Sequence, residues 1–274
     1  MQYNLMGGIV GDIVGSKFEW KSYKDISNSF RFVSKKSRYT DDTVLTVALA
    51  DAVIHDGDYQ RFLKSYTKKD PNRGYGKMYK AWALNGKSNP NGSYANGGAM
   101  RLSSIPLYFR DLYKIQIETI RSTAITHNHP ESLDASMLLS TAIFLSRITK
   151  DKEYIRILLE HNFQYRFGEF VDDSKESKYV VKDSLKAKAA VSFSLDCFFS
   201  SYDYESAIRT AVCSGGDTDT TASIVGVIAF TFYGEMKQEL YEKCWSMLPS
   251  NYKQIIKRFH KLSTKEKPYF KEYN

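Results

Sequence analysis

The chain contains no apolar run long enough to cross a membrane, and its N-terminus has no signal-peptide pattern. Residues 1–8 include neither a basic region nor an apolar stretch, and no segment approaches the ~20 apolar residues that a membrane-spanning helix needs. The three cysteines, Cys197, Cys213 and Cys244, are odd in number and lack metal-ligand spacing. These absences predict a soluble, cytoplasmic protein whose thiols stay reduced.

The alternation of apolar and polar residues that marks β-strands is also scarce, and residues 30–33 are the best, weak candidate. Helical periodicity dominates instead. Apolar stripes at helical spacing cover residues 44–53 and 133–145, and the almost wholly apolar residues 222–233 predict a buried central helix. Weaker helical patterns cover residues 115–123, 153–161, 187–199, 204–213 and 235–248. With no repeat and no linker, the sequence predicts one compact all-α domain, an orthogonal helical bundle over residues 1–274.

Acidic residues are outnumbered, 31 against 39 Lys and Arg, which gives a formal charge of +8. A positive protein attracts phosphates, nucleic acids and acidic proteins, so nucleic-acid binding is one alternative. That alternative needs basic residues interleaved with aromatics, and none are expected outside the C-terminal segment, residues 253–274. That segment is interpreted as a solvated face or tail, with basic residues Lys253, Lys257, Arg258, Lys261, Lys265, Lys267 and Lys271.

Two short acidic clusters precede apolar helical stretches: Thr40-Asp41-Asp42-Thr43 and Gly215-Gly216-Asp217-Thr218-Asp219-Thr220. Carboxylates this close repel one another, so burying them together requires a cation. Oxygen ligands suit hard ions such as Mg²⁺ or Mn²⁺, and glycines allow close approach of backbone to a ligand. Taken alone, the first cluster favours a helix N-cap, in which Thr or Asp caps the helix and early acidic residues complement its dipole. Our central hypothesis is that the clusters meet and hold one or two ions.

Three further segments carry candidate chemistry. Two glycines four apart, Gly11 and Gly15, indicate either close contact between helices or approach of the backbone to a ligand. Glu19, which follows them, is either a base of raised pKa or an exposed residue at the end of a helix. Residues 91–101 are rich in backbone donors suited to a pyrophosphate, although no Walker sequence is present. The spacing of His127 and His129 is not typical of zinc, which favours capping or hydrogen-bonding roles. Residues 168–183 predict a polar surface excursion.

In this combination the chain resembles the ADP-ribosylglycohydrolase family. The hallmarks are an N-terminal Gly-Asp-x-x-Gly with a downstream Glu, then Thr-Asp-Asp-Thr, then Gly-Gly-Asp-x-Asp-Thr, found here in order at residues 11–19, 40–43 and 215–220. Residues 68–76 and 92–101 look like the branch that removes ADP-ribose from serine, and bacterial relatives share much of both. The resemblance implies an all-α fold with two Mg²⁺ or Mn²⁺ ions at the base of a cleft.

Matching residue by residue, the resemblance implies metal ligands Thr40, Asp41, Asp42, Asp217, Asp219 and Thr220. Catalytic roles fall to Glu19, Asp41 and Asp42. The residues implied to bind the substrate are Gly74, Gly76, Ser93, Tyr94, Asn96, Gly97 and His127, with Tyr94 stacking on adenine. One departure is that residues 189–192 replace a proline-containing stretch common in relatives, which affects the nearby cleft wall.

The resemblance therefore implies a monomeric, metal-dependent hydrolase that cleaves the glycosidic bond between ADP-ribose and a protein side chain, or O-acetyl-ADP-ribose. Two alternatives stay open: a non-catalytic sensor of ADP-ribose or a nucleotide, and a hydrolase acting on ADP-ribosylated nucleic acid. No membrane partner is expected.

Overall fold

The computed structural model describes residues 2–55, 57–86, 92–169 and 183–264. Within these ranges the chain forms thirteen α-helices and no β-strand beyond an isolated bridge between Ala95 and Lys186. The helices are α1 (Met6–Gly15), α2 (Asp41–Val53), α3 (Tyr59–Lys69), α4 (Lys77–Leu84), α5 (Ser104–Tyr108), α6 (Leu112–Ala124), α7 (Pro130–Ile148), α8 (Lys152–Asn162), α9 (Ala187–Phe199), α10 (Tyr204–Cys213), α11 (Thr218–Tyr233), α12 (Gln238–Met247) and α13 (Ser250–Ser263).

The predicted helices are confirmed, and two of them, α9 and α10, match their predicted bounds. The candidate strand at residues 30–33 is wrong. There the rings of Phe30 and Phe32 lie on the same side, 5.4 Å apart, and both contact the guanidinium of Arg209 at 4.7 and 4.5 Å. The candidate fails because residues 30–33 are irregular and, among the described residues, no neighbouring strand pairs with them.

The pairing of α1 with α11 is the most extensive helix contact of the described chain. A Cβ added at Gly11 would lie 1.9 Å from the carbonyl oxygen of Ala222, and one added at Gly15 would lie 2.3 Å from that of Thr218. Gly7 and Gly226 face each other in the same way, with 2.3 Å between a Cβ at Gly226 and the Gly7 oxygen. Of the two predicted uses of the glycines at 11 and 15, the structure therefore shows close helix contact.

One connected hydrophobic cluster, to which most of the helices contribute, forms the core. Helix α11 is buried continuously from Thr218 to Phe230, as predicted for a central helix. No helix among the described residues is long and apolar enough to span a bilayer. The single domain over residues 1–274 stays a prediction, and most of the predicted excursion at 168–183 lies outside the described residues, as do residues 265–274.

Candidate metal centre and substrate cleft

The two acidic clusters meet in the fold, as the central hypothesis predicts. A cavity of about 440 Å³ is lined by carboxylates from both clusters and from the segment after α1: Glu19, Asp41, Asp42, Asp217 and Asp219. The hydroxyl of Thr220 donates a hydrogen bond to Asp42 Oδ2 at 3.2 Å, which joins the first turn of α11 to the first turn of α2. Asp42 and Thr220, which are 178 positions apart in sequence, therefore face one cleft.

The start of α2 is held in place by Asp12, a fully buried carboxylate on α1. It accepts hydrogen bonds from the backbone N–H groups of Thr40 (2.9 Å) and Thr43 (3.2 Å) and from the hydroxyls of both residues. Burial raises the pKa of Asp12 to about 6, although these donors oppose the shift. The N-cap interpretation is also confirmed, since Thr40 Oγ1 accepts from the N–H of Asp42 at 3.3 Å. Thr40 does not line the cavity.

The start of α11 depends on two glycines in the left-handed region, Gly215 (φ +73°) and Gly216 (φ +75°). A Cβ at Gly215 would lie 2.7 Å from the backbone of Lys21, and Gly216 exchanges backbone hydrogen bonds with Trp20 and Lys21 at 2.8 and 3.1 Å. The structure shows a packing role for these glycines, since they fit this loop against the segment that carries Glu19; approach of the backbone to a ligand there stays a prediction.

Asn96 orients Asp217. Its amide nitrogen donates to Asp217 Oδ2 at 2.6 Å and to the backbone oxygen of Ser184 at 3.0 Å, so both amide protons are used. The side chain of Asn96 therefore positions a carboxylate of the cleft, and Asn96 itself also lines the cavity.

The carboxylates of the cleft lie close together and carry no cationic neighbour sufficient to balance them. One oxygen each of Glu19, Asp217 and Asp219 lies within 4.8 Å of the other two. Burial, then the charges of Asp12 and other carboxylates, raises the pKa of Asp41 to about 8. The pKa values of Asp42 and Asp219 are held well above their usual range, first by burial and then by neighbouring carboxylates. In the described structure this cluster favours either bound protons or bound cations.

Two buried oxygens mark where a cation fits. Asp42 Oδ1 and Asp219 Oδ1 are inaccessible to solvent and have no hydrogen-bond partner among the described residues. An unpartnered buried carboxylate oxygen is costly, and a hard divalent ion is the partner that an all-oxygen set prefers. The residues present therefore fit Mg²⁺ or Mn²⁺.

Glu19 lies at the rim of the cluster, partly exposed. Burial and then the charge of Asp217 raise the pKa of its carboxyl, and Arg38 at 3.9 Å opposes the shift. The sequence allowed two interpretations of Glu19. Its location in the cleft and the raised pKa of its carboxyl agree with the acid–base role. The next residue, Trp20, is 60% exposed and adopts φ +64°, a conformation that bulky residues rarely take.

Most residues predicted to bind the substrate line the same cavity: Gly74, Gly76, Ser93, Asn96, Gly97 and His127. Tyr94 is different, because its half-exposed ring packs edge-on against His129, with 5.6 Å between ring centroids, and is outside the cavity lining. His129 itself caps α7 by accepting from the N–H of Glu131, which confirms its predicted capping role.

His127 is buried beside Gly97 and stays neutral. Burial and then the charge of Arg101 lower its pKa to about 3. The hydroxyl of Thr126 accepts from Arg101 at 2.7 Å and lies 2.7 Å from His127 Nδ1. We assign the Thr126 hydroxyl as the donor to Nδ1, so the ring proton of the neutral imidazole lies on Nε2, which can donate. A Cβ at Gly97 would lie 3.1 Å from Nε2.

Several cleft residues have no signal in the sequence. Lys77, Met78 and Leu185 also line it, although none belongs to a recognisable motif. Asp12 holds the start of α2 in place, and its position within the Gly-Asp-x-x-Gly motif was the only feature of the sequence that could have indicated this role. The departure at residues 189–192 is buried within α9, and the wall in this region is formed by Leu185.

Comparison with known proteins agrees with this geometry. The model of the ADP-ribosylglycohydrolase family matches residues 4–267. The chain is 26% identical to human ADP-ribosylhydrolase ARH3, covering 84% of each chain, and 26% identical to ADP-ribosylarginine hydrolase Tri1 of Pseudomonas putida (strain GB-1), covering 88% of this chain and 73% of Tri1. A solved structure titled ADP-ribosylglycohydrolase-related protein complex superposes with a TM-score of 0.75 at 20% identity, covering 95% of this chain and 96% of the other.

The all-α fold is thus shared with this solved structure. The chain belongs to the ADP-ribosylglycohydrolase family, whose members are enzymes that hydrolyse ADP-ribose linkages.

Proposed function

We propose that this protein uses two divalent cations, Mg²⁺ or Mn²⁺, to hydrolyse the glycosidic bond between ADP-ribose and its acceptor. The observation that carries the proposal is the shared cleft of two acidic clusters, in which buried oxygens of Asp42 and Asp219 have no hydrogen-bond partner among the described residues. The ligands would be Asp41, Asp42, Asp217, Asp219 and Thr220, with Thr40 as a further candidate. When bound, such ions orient ribose hydroxyls and lower the pKa of a water molecule.

The start of α4 supports a diphosphate subsite. Gly76 caps this helix without a side-chain hydrogen bond, and Gly76, Lys77 and Met78 at its start line the cavity. The positive end of a helix favours anions. Gly74 adopts φ +103° beside Asp41, where a Cβ would lie 3.2 Å from Asp41 Oδ1. This turn therefore places anion donors next to the acidic cluster without a side chain between them.

Glu19 is the proposed proton carrier. Hydrolysis adds water oxygen to the ribose carbon and returns a proton to the acceptor, while positive charge develops on the sugar. A carboxyl of raised pKa at the edge of the cluster is suited to move that proton. The neighbouring carboxylates stabilise the developing charge, and the neutral His127 offers Nε2–H as a fixed donor beside Gly97.

The test is release of ADP-ribose from serine-linked, arginine-linked and O-acetyl substrates with Mg²⁺, with Mn²⁺ and with EDTA. Asp219→Asn should abolish release and weaken Mn²⁺ binding measured by calorimetry. Asp196→Asn is the matched control, because Asp196 is an equally buried aspartate that hydrogen-bonds Tyr165 outside the cleft lining. Full metal-dependent activity of Asp219→Asn would refute the ligand assignment.

Two further properties complete the proposal. Cys197, Cys213 and Cys244 are all unpaired thiols, as a cytoplasmic location predicts. That location and the monomeric state both stay predictions, and size-exclusion chromatography with light scattering would test the second.

A further inference from the structure

A basic strip, defined as residues 17–38 between α1 and α2, begins at the mouth of the cleft. It contains seven Lys and Arg against two carboxylates, and five aromatic residues are distributed among them. The strip therefore carries more than half of the chain's net charge of +8. The expectation that no basic stretch with interleaved aromatics exists outside the C-terminal segment is wrong.

The charges of the strip point to solvent and are largely free of carboxylate partners. Six of the seven are exposed: Lys21, Lys24, Arg31, Lys35, Lys36 and Arg38. Among the described residues, only Arg38 has a carboxylate within ion-pair distance, Glu19 at 3.9 Å. The half-buried Lys17 lies over the ring of Phe18 at 4.8 Å and donates to the backbone oxygen of Arg31, so it joins the start of the strip to its middle.

The strip connects two cavities. At one end, Trp20 and Glu19 line the substrate cleft, and the indole of Trp20 is largely exposed. In the middle of the strip, Arg31 and Phe32 line a second cavity of about 440 Å³ together with Lys237 and Lys243. The carboxylate of that lining, Glu239, lies 2.5 Å from Lys243, which leaves Arg31 and Lys237 as its unmatched charges. Between the two linings in sequence, Lys21 and Lys24 are both exposed, so cations follow the strip away from the reaction centre.

We propose that the basic strip binds the phosphodiester backbone of a single-stranded nucleic acid whose ADP-ribosylated nucleotide enters the cleft. This inference rests on the proposed hydrolase function and names its acceptor. Cations along a path match a chain with one phosphate per nucleotide, and Trp20 offers a π-face for a base at the position where the acceptor leaves the cleft. An acidic peptide would match the charge but would not use the exposed indole. A duplex would keep its bases stacked inside and away from the cleft.

The first test measures binding of a fluorescent oligothymidylate of about 12 nucleotides by anisotropy, between about 50 and 200 mM salt. For single strands, log K falls with log salt by about 0.7 per phosphate contact. The double variant Lys21→Gln, Arg31→Gln should therefore reduce this slope by about 1.4. The matched control, Lys257→Gln with Lys261→Gln, removes the same charge from exposed positions of α13 and should keep the wild-type slope.

The second test concerns stacking. Trp20→Ala should lower oligonucleotide affinity about 5- to 150-fold, the range expected for loss of one aromatic platform. Tyr113→Ala removes an aromatic residue that is 73% exposed at the start of α6 and should have no effect.

Binding of free ADP-ribose, measured by calorimetry on the same variants, separates this inference from the proposed function. Wild-type protein that binds and releases ADP-ribose but ignores the oligonucleotide would overturn the basic strip and leave the hydrolase intact. Equal losses in the strip and α13 variants, or polyglutamate competing as well as the oligonucleotide, would also overturn it. If neither ADP-ribose binding nor release occurs, the proposed function itself fails.

Discussion

Replacing Gly11 by Ala should separate α1 from α11 and disturb the cleft that both helices support. The added Cβ would lie 1.9 Å from the carbonyl oxygen of Ala222 and 2.5 Å from its carbonyl carbon. Both are backbone atoms, which cannot turn away as a side chain does, so the helices must move apart by roughly 1 Å. Overpacking of this kind costs about 1–3 kcal/mol or more, and the helix propensity gained by Ala returns about 1 kcal/mol. Because the clashing atoms are backbone, we expect the upper end of that cost, about 3 kcal/mol, and therefore a net loss of about 2 kcal/mol.

Gly8→Ala is the matched control on the same helix. Its Cβ would lie 3.2 Å from the nearest atom, the Ser223 carbonyl oxygen, so the propensity gain stays while most of the clash is absent. Guanidinium unfolding measures the stability of both variants, and a loss of about 2 kcal/mol corresponds to a melting temperature lower by roughly 4–8 °C. Because α1 carries Asp12 and α11 carries Asp219, Gly11→Ala should also weaken Mn²⁺ binding about 10-fold. Wild-type stability of Gly11→Ala would refute the close helix contact.

Three further predictions concern the site itself. Folded-state pKa values of about 6 for Asp12 and about 8 for Asp41 exceed the unfolded value of ~3.9, so the folded state binds more protons across this window. Metal-free protein should therefore lose stability as the pH rises from about 4 to 8; equal guanidinium midpoints at pH 5 and 8 would contradict this. Asn96→Ala should reduce Mn²⁺ affinity about 10- to 100-fold by releasing Asp217, whereas Asn162→Ala, which removes an exposed bond to Leu158, should not. The NMR signals of the His127 ring should show no titration between pH 5 and 8, since its pKa is about 3.

Helix positions were predictable from the sequence where apolar periodicity was strong. Helices α2 and α7 follow from their stripes because a 3.6-residue period places apolar side chains on one face, and α11 follows from its almost wholly apolar run. Helix α1 was not predicted, because its glycines lower helix propensity and its stability comes from the contact with α11. The weak strand candidate at residues 30–33 came from local alternation alone, and a strand also needs a neighbouring strand for its backbone hydrogen bonds, which the described residues do not supply there.

The sequence by itself determined the residue types of the site and the order of its motifs: oxygen ligands in two short clusters, each before a helix, with a glutamate upstream. Only the tertiary structure decided what those residues touch. It assigned the glycines at 11 and 215 to protein contacts, Asn96 to Asp217, and Trp20 to the rim beside a basic surface. Local pattern encodes periodicity and donor chemistry, but contacts between residues about 121 or 178 positions apart depend on how whole helices pack.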